Sequence, residues 1–177
     1  MLFRSDASDW ATTSSAVDTH VQRFGGLDVA VANAGFTSAG DLLDGDPSQW
    51  ADMVATNVLG PALLVKAAGP HLMASRGLMV FLGSVAGRTH RAGSLYGPTK
   101  RAVAGLAEST RLQLTTTGVR VALVEPGITE SPFWGETGTP TWALEPSAIA
   151  GAIGWLVDQP VGVDINDIVI RPIGQPV

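Results

Sequence analysis

The feature that most restricts the fold of this chain is a set of short, almost wholly apolar runs that alternate with longer amphipathic segments. The runs are rich in Val, Leu and Ile and lack the polar alternation of a half-exposed strand, so they predict strands buried on both faces. They lie at residues 27–32, 78–83, 119–125 and 165–171. Strand and helix in repeated alternation predict an α/β fold with a doubly wound parallel sheet.

The segments between the runs are expected to be helices, several of them opened by Asp, Ser or Pro in the first turn. The predicted helices cover residues 9–24, 47–68, 95–116 and 146–157. Residues 129–146 are rich in Pro, Gly and Trp and predict a long loop of the functional or mobile kind. Residues 2–5 look like the end of a strand that leads directly into the first helix.

Composition excludes several classes of protein. Charged residues make up only 15% of the sequence and hydrophobic residues 45%, which argues against disorder. The net charge of -5 argues against sequence-independent nucleic-acid binding, and no window approaches the roughly 18 apolar residues that span a bilayer. The chain has no cysteine, and its first residues lack the apolar core of a signal peptide, so a soluble, cytoplasmic protein is expected. No metal site is expected, because the spacing of His20, His71 and His90 is not that of metal ligands.

The strongest local signal is the pair Tyr96 and Lys100. Residues four apart share one face of a helix, so the ammonium group is expected beside the phenol. A phenol with an ordinary pKa near 10 is a poor acid or base at neutral pH, but a neighbouring cation lowers that pKa. The spacing alone also fits a surface lysine over a partly buried tyrosine, and the pair gains meaning only from its neighbours in the fold.

Ser84 follows the predicted strand at 78–83, at the edge of a parallel sheet where ligands bind. A serine in a glycine-rich turn is often only a backbone cap. The alternative of a nucleophile elbow fails, because Leu82 and Ala86 stand where that motif requires glycine.

Three further segments carry small or polar residues at informative places. The segment 33–35, Asn-Ala-Gly, follows a predicted strand, where small residues let a flat cofactor approach the backbone. Asn57 lies in the middle of a predicted helix, where asparagine is unfavourable; a kink with a bound water is one explanation and a solvated surface asparagine is another. The segment 126–131 follows the strand at 119–125. These segments converge on one edge of the sheet.

In this order and at close to these spacings, the motifs resemble the short-chain dehydrogenase/reductase family, in its plain branch. The resemblance implies a Rossmann-like fold, NAD or NADP as cofactor, and hydride transfer between the nicotinamide and a small-molecule ketone or secondary alcohol. Tyr96 would be the general acid/base and Ser84 would hydrogen-bond the substrate oxygen. Lys100 would hold the nicotinamide ribose and lower the pKa of Tyr96, and Asn57 would hold the water of a proton relay.

The resemblance also implies contacts to the rest of the cofactor, a lid and an oligomer. Asp6 would contact the adenine, the segment Asn33, Ala34 and Gly35 would flank the cofactor, and the nicotinamide carboxamide would be bound by Pro126, Gly127, Ile128 and Ser131. The loop at 129–146 would be the substrate lid, in which Phe133, Trp134 and Trp142 are as well explained by packing as by a substrate wall. The helices carrying Asn57 and Tyr96 would form the interface of a homodimer or homotetramer.

The sequence departs from the family pattern in four respects. Three are small: Ala32 replaces an Asn, Ser131 replaces a Thr, and the gap from Ser84 to Tyr96 is about one residue short. The fourth is large, because the family's opening TGxxxGxG turn and its first two strand-helix units have no counterpart here. The sequence therefore predicts an N-terminally truncated, partial NAD(P)-binding domain over residues 1–177, whose preference for NAD or NADP is not readable.

Three hypotheses on function follow. The first is an NAD(P)-dependent oxidoreductase with Tyr96 as acid/base. The second is a truncated, catalytically incompetent fragment, since a turn that holds the pyrophosphate is not found. The third is a non-catalytic subunit that pairs with a full-length homologue.

Overall fold

Four parallel strands, adjacent in the sheet in the order in which they occur in the chain, form the centre of the molecule. In the computed structural model, which describes residues 5–89 and 92–175, they are β1 (Val29–Ala32), β2 (Leu78–Leu82), β3 (Arg120–Pro126) and β4 (Asp167–Ile170). All four predicted strands are thus confirmed, with bounds that differ by one or two residues; the expected burial on both faces holds for β2 and β3, whereas β1 and β4 are partly exposed. His90 and residues 2–4 of the strand end expected before the first helix lie outside the described residues.

Five α-helices lie in the described part of the chain, and the first two begin at a capping aspartate. They are α1 (Trp10–Phe24), α2 (Pro47–Val54), α3 (Gly60–Ser75), α4 (Tyr96–Leu114) and α5 (Pro146–Val157). The Asp9 carboxylate accepts a hydrogen bond from Thr12 N at 2.8 Å and so caps α1. Asp46 caps α2 in the same way, and Pro47 occupies the first helical position, where its missing N–H costs nothing.

Helices cover both faces of the sheet, as expected for an α/β fold. Side chains of α1, α3 and α4 pack with Met79, Phe81, Val121 and Leu123 on one face. Helix α5 packs on the other face, against alternate residues of the same strands such as Val80 and Val124. The strands β1 to β4 follow one another in one direction across the sheet, but α5 lies on the face opposite to α3 and α4. The crossover connection through α5 therefore has the opposite hand to those through α3 and α4.

One predicted helix is not continuous. The segment predicted as a helix at 47–68 contains a π-helical turn at Ala55–Leu59 between α2 and α3, and helical structure continues to Ser75. The long loop after β3 also has local structure, because it contains a 3-10 helix at Pro132–Thr137 and a β-bridge between Thr129 and Leu144. Two further 3-10 turns occur at Val85–Gly87 and Thr115–Thr117.

The outer edge of β1 borders a groove. Within the described residues β1 pairs only with β2, and a cavity of about 320 Å³ beside it is lined mainly by apolar side chains of α1, β1 and α3, including Val17, Ala32 and Leu64. No helix in the part of the chain that the structure describes is long and apolar enough to cross a membrane.

Candidate active site at the carboxyl ends of the strands

Ser84 and Tyr96 meet at the carboxyl end of β2. Ser84 has an extended backbone and caps the 3-10 turn Val85–Gly87, its hydroxyl accepting a hydrogen bond from Ala86 N at 3.1 Å. The same hydroxyl lies beside the phenol of Tyr96, the first residue of α4, and as a hydrogen-bonding group it lowers the pKa of that phenol. Ser84 is therefore a backbone cap, one of the alternatives that the sequence left open, and it also lies beside Tyr96.

Lys100 lies one turn further along α4 and is only 5% exposed. Its Nζ donates a hydrogen bond to the carbonyl oxygen of Leu82 at 2.8 Å and lies 5.8 Å from the centroid of the Tyr96 ring. Burial lowers the pKa of Lys100 to about 8. The ammonium group is thus close to the phenol, on the same face of the helix, but aimed at the end of β2.

Lys100 is not among the groups that shift the pKa of Tyr96 in this structure, so its expected lowering of that pKa stays a prediction. Burial of the phenol raises its pKa, and the hydrogen bond with Ser84 lowers it by less. The Lys100 ammonium satisfies a buried carbonyl instead of bonding to the phenol oxygen.

Asn57 lies within the π-helical turn and is fully buried, so the interpretation as a solvated surface residue is wrong. Its side chain pairs with the backbone of Phe36: Oδ1 accepts from Phe36 N at 3.0 Å, and Nδ2 donates to Phe36 O at 2.9 Å. Nδ2 also donates to the hydroxyl of Thr99 at 3.0 Å. Asn57 therefore ties the loop after β1 to α4 through three hydrogen bonds, in a helix that is distorted at this point.

Gly35 links the Asn-Ala-Gly segment to these polar residues. A Cβ atom on Gly35 would lie 3.1 Å from Asn57 Oδ1 and 3.2 Å from Lys100 Nζ. Only glycine lets the backbone approach both groups this closely. Asn33 and Ala34, the other two residues of the segment, are exposed at the end of β1.

The segment after β3 ends at the same edge of the sheet. Gly127 N donates to Ile170 O at 2.7 Å, and Ile128 N donates to the side-chain oxygen of Gln175 at 3.0 Å. A Cβ atom on Gly127 would collide with the Gln175 side chain and come within 2.8 Å of Pro172. The turn at 172–175 therefore packs directly on the segment predicted to bind the carboxamide.

The long loop covers Tyr96. The rings of Phe133 and Tyr96 have centroids 5.4 Å apart, and Trp134 stacks edge-on against Phe133 at 5.5 Å. The indole N–H of Trp134 donates to Thr129 O at 2.9 Å, which fixes the loop against its own start. Phe133 thus forms an apolar wall beside the phenol, whereas Trp142 is exposed.

Two more predicted cofactor residues, besides Asn33 and Ala34, lie on the surface. Ser131 is exposed in the long loop. Asp6 is exposed before α1, and its carboxylate accepts hydrogen bonds from Ser8 N at 2.9 Å and Ser8 Oγ at 2.7 Å, which lower its pKa. No group of three or more His, Asp or Glu side chains within residues 5–89 and 92–175 is arranged to hold a metal ion.

Some residues of the site carried no recognisable motif. Thr99 lies between Tyr96 and Lys100 and is buried; its hydroxyl donates to Tyr96 O at 2.7 Å and accepts from Asn57. Glu125 is 1% exposed near the end of β3 and pairs with Arg88. A charged residue at the end of an otherwise apolar run was the one signal for Glu125.

Comparison with known proteins gives a consistent result. The sequence model of the family described as "short chain dehydrogenase" matches residues 1–141. An uncharacterized oxidoreductase of Staphylococcus epidermidis is 31% identical over 156 residues, which are 86% of this chain and 68% of that protein.

Solved structures agree over almost the whole chain. An alcohol dehydrogenase from the archaeon Thermococcus sibiricus, complexed with 5-hydroxy-NADP, superimposes with a TM-score of 0.90 at 28% identity, over 98% of this chain and 74% of that one. A metagenomic short-chain oxidoreductase in complex with NADP gives a TM-score of 0.81 at 29% identity, over 95% of this chain and 72% of its own.

Proposed function

This chain belongs to the short-chain dehydrogenase family, and on that premise we propose that it is an oxidoreductase that transfers a hydride between NAD or NADP and a ketone or secondary alcohol. The observation that carries the proposal is the grouping of Ser84, the half-buried Tyr96 and the buried Lys100 at the carboxyl end of β2, with Lys100 Nζ 5.8 Å from the centroid of the Tyr96 ring. Acid/base, oxygen-binding and cationic groups stand together at the sheet edge where ligands of such folds bind.

In the direction of reduction, Tyr96 gives its hydroxyl proton to the substrate oxygen. When bound, the nicotinamide supplies the hydride that adds to the carbonyl carbon. Ser84 orients the oxygen and stabilises the phenolate that Tyr96 becomes, because its hydroxyl lies beside the phenol and lowers the pKa of that group. Lys100, with a pKa of about 8, is largely cationic at neutral pH and stabilises the same negative charge from nearby.

The chain's own contacts fit a nicotinamide carboxamide beside β3. The Ile128 N–H already holds a primary amide, that of Gln175, so its direction suits an amide oxygen. The same contact means that the turn at 172–175 must release Ile128 when a cofactor binds. The bare Cα of Gly35 gives further room beside Lys100.

Substrate class follows from the loop after β3, proposed here as the lid at 129–146. Phe133 places an aromatic ring against Tyr96, and Trp134 extends this apolar surface. An apolar wall beside the proton donor favours a carbonyl compound with a hydrophobic substituent over an anionic one.

The test is reduction of a panel of aromatic and aliphatic ketones by the purified chain, with NADH and NADPH in turn. Tyr96→Phe removes the proton donor but keeps the ring, so we expect a loss of kcat of at least about 100-fold. Lys66 is the matched control for Lys100: Lys66→Met should keep the activity that Lys100→Met loses. The proposal fails if Tyr96→Phe keeps full activity or if no carbonyl is reduced with either cofactor.

The outer edge of β1 favours a second candidate, a subunit that pairs with another chain and does not catalyse. Within residues 5–89 and 92–175 no strand pairs with this edge, and an apolar groove lies beside it, so a further strand can add there. Size-exclusion of this chain mixed with a longer relative would show a mixed species on this candidate. Calorimetric titration separates the two, because micromolar binding of NADH or NADPH by this chain alone favours the enzyme.

A further inference from the structure

Glu125 is a carboxylate within the sheet, and only 1% of its surface is exposed. It directly precedes the Pro126-Gly127 segment at the carboxyl end of β3. A buried carboxylate is costly unless charged or hydrogen-bonding partners compensate for the loss of water. Its partners therefore indicate what the residue does.

The main partner of Glu125 is Arg88, at the end of the turn that carries Ser84. Nε and Nη2 of Arg88 both donate to the same carboxylate oxygen of Glu125. Arg88 Nη2 also lies 3.6 Å from Asp167 Oδ1 on β4. Burial raises the pKa of Glu125; Arg88 and the charge of Arg101 lower it, while Asp167 raises it.

Glu125 also contacts the other end of the turn. A Cβ atom on Gly83 would lie 2.9 Å from Glu125 Cγ, so the side chain packs directly under Gly83. Gly83 N donates to Val124 O at 2.8 Å, which fixes the start of the turn to β3. One buried side chain thus holds residues 83 and 88, and Ser84 lies between them.

The turn at 83–88 packs on α4, the helix that carries Tyr96. A Cβ atom on Gly87 would lie 2.9 Å from the backbone of Lys100, and one on Gly97 would lie 2.9 Å from Ala86 O. Arg101 Nη1 donates to Gly87 O at 3.2 Å. With backbones this close, a small displacement of the turn changes the position of the Ser84 hydroxyl against the phenol.

From these contacts we infer that Glu125 and Arg88 form a positioning pair that sets the Ser84 hydroxyl against Tyr96. The contacts of Arg88 and Glu125 given above join β3, β4 and the turn at 83–88, so the pair acts on Ser84 through that turn. Its effect on catalysis rests on the function proposed above, whereas its effect on the geometry of Ser84 and Tyr96 does not.

The test uses the fact that Tyr96 is the one tyrosine of the sequence. Near-ultraviolet absorbance of the phenolate, followed against pH, therefore reports the pKa of Tyr96 alone. One variant is Glu125→Gln, which keeps the shape of the side chain. The other is Arg88→Lys, which keeps the charge but loses the pair of guanidinium N–H donors that contact Glu125. The control is Glu108→Gln, which breaks the Glu108–Arg111 ion pair on α4, the helix that carries Tyr96.

Both variants should raise the pKa of Tyr96 by about half to one pH unit, because the hydrogen bond from Ser84 lowers that pKa and is weakened. A direct charge effect predicts otherwise: neutralising Glu125 would lower the pKa of Tyr96, and Arg88→Lys would leave it unchanged. Those outcomes would overturn the inference. An equal rise in the pKa of Tyr96 in the control Glu108→Gln would also overturn it. Should Glu125→Gln fail to fold by circular dichroism, Arg88→Lys decides alone.

Kinetics supply a second readout. Displacement of Ser84 should lower kcat by about 10- to 100-fold and leave the KM for the cofactor nearly unchanged. A rise in KM with unchanged kcat would contradict a positioning role. If the wild-type chain reduces no carbonyl, the proposed function fails, and the tyrosine titration still decides whether the pair positions Ser84.

Discussion

At the scale of single residues, the site is governed by competition between burial and hydrogen bonding. Tyr96 loses water on one side and gains the Ser84 hydroxyl on the other, and burial has the larger effect on its pKa. We expect Ser84→Ala to raise the pKa of Tyr96 further, by about half to one pH unit. Titration of the phenolate absorbance checks this, with Ser48→Ala, at an exposed serine in α2, as the control. An unchanged or lower pKa would contradict the prediction.

Burial also has the main effect on the pKa of Lys100, whose charged form is a cation. Burial lowers its pKa from 10.5 to about 8, so the folded state releases a proton that the unfolded state still holds between these values. Stability therefore rises with pH across this window, and below about pH 8 the full cost of the buried cation, up to about 3 kcal/mol, is present.

Lys100→Met removes that cost together with the hydrogen bond to Leu82 O. The free energy of unfolding of the variant, minus that of the wild type, should therefore fall as the pH rises from 8 to 10.5. Urea denaturation at several pH values measures the difference, and Lys66→Met provides the control. A difference that grows with pH would refute the assignment of a low pKa to Lys100.

At the scale of elements, the π-helical turn contains Asn57, whose side chain joins the loop after β1 to α4. Asn57→Ala would remove the hydrogen bonds to the half-buried backbone of Phe36 and to the buried Thr99 hydroxyl, at a cost of about 2 to 3 kcal/mol. Gln49→Ala, on the exposed surface of α2, should change stability by less than about 0.5 kcal/mol. Chemical denaturation distinguishes the two, and equal losses would show that Asn57 does not hold the loop.

The elements differ in how well the sequence predicts them. The strands could be predicted because burial on both faces leaves a continuous apolar run, as at β2. A kink at Asn57 was one of the alternatives, but its π-helical form and the pairing of Asn57 with Phe36 could not be predicted, because that contact joins residues from separate elements. The order of the motifs along the chain predicted which residues form the site. The direction of the Lys100 side chain could not be predicted, because helical spacing fixes the face of the helix and not the orientation of a four-carbon side chain. Glu125 was missed because its partner Arg88 is distant in sequence.

At the scale of the whole molecule, apolar side chains remain on the surface of the helices expected to form an oligomer. Leu112 on α4 is 70% exposed and Leu59 in the π-helical turn is 49% exposed. If these helices pair with a second copy, Leu112→Glu should shift the chain from oligomer to monomer. Sedimentation velocity checks this, with Leu43→Glu, at a 97% exposed loop residue, as the control. An equal mass for Leu112→Glu and wild type would exclude α4 as the interface.

The order of the strands has a consequence for the time at which the sheet can form. Each ladder pairs residues roughly forty to fifty positions apart, as in Val29 with Leu78 and Leu123 with Asp167, so no strand finds its neighbour locally. At a synthesis rate of roughly 5 to 20 residues per second, β1 leaves the ribosome several seconds before β2 exists. During that interval β1 lacks β2, the strand with which it pairs in the sheet. The nascent chain therefore depends on α1 and the helical segment that follows β1 to shield it until β2 arrives.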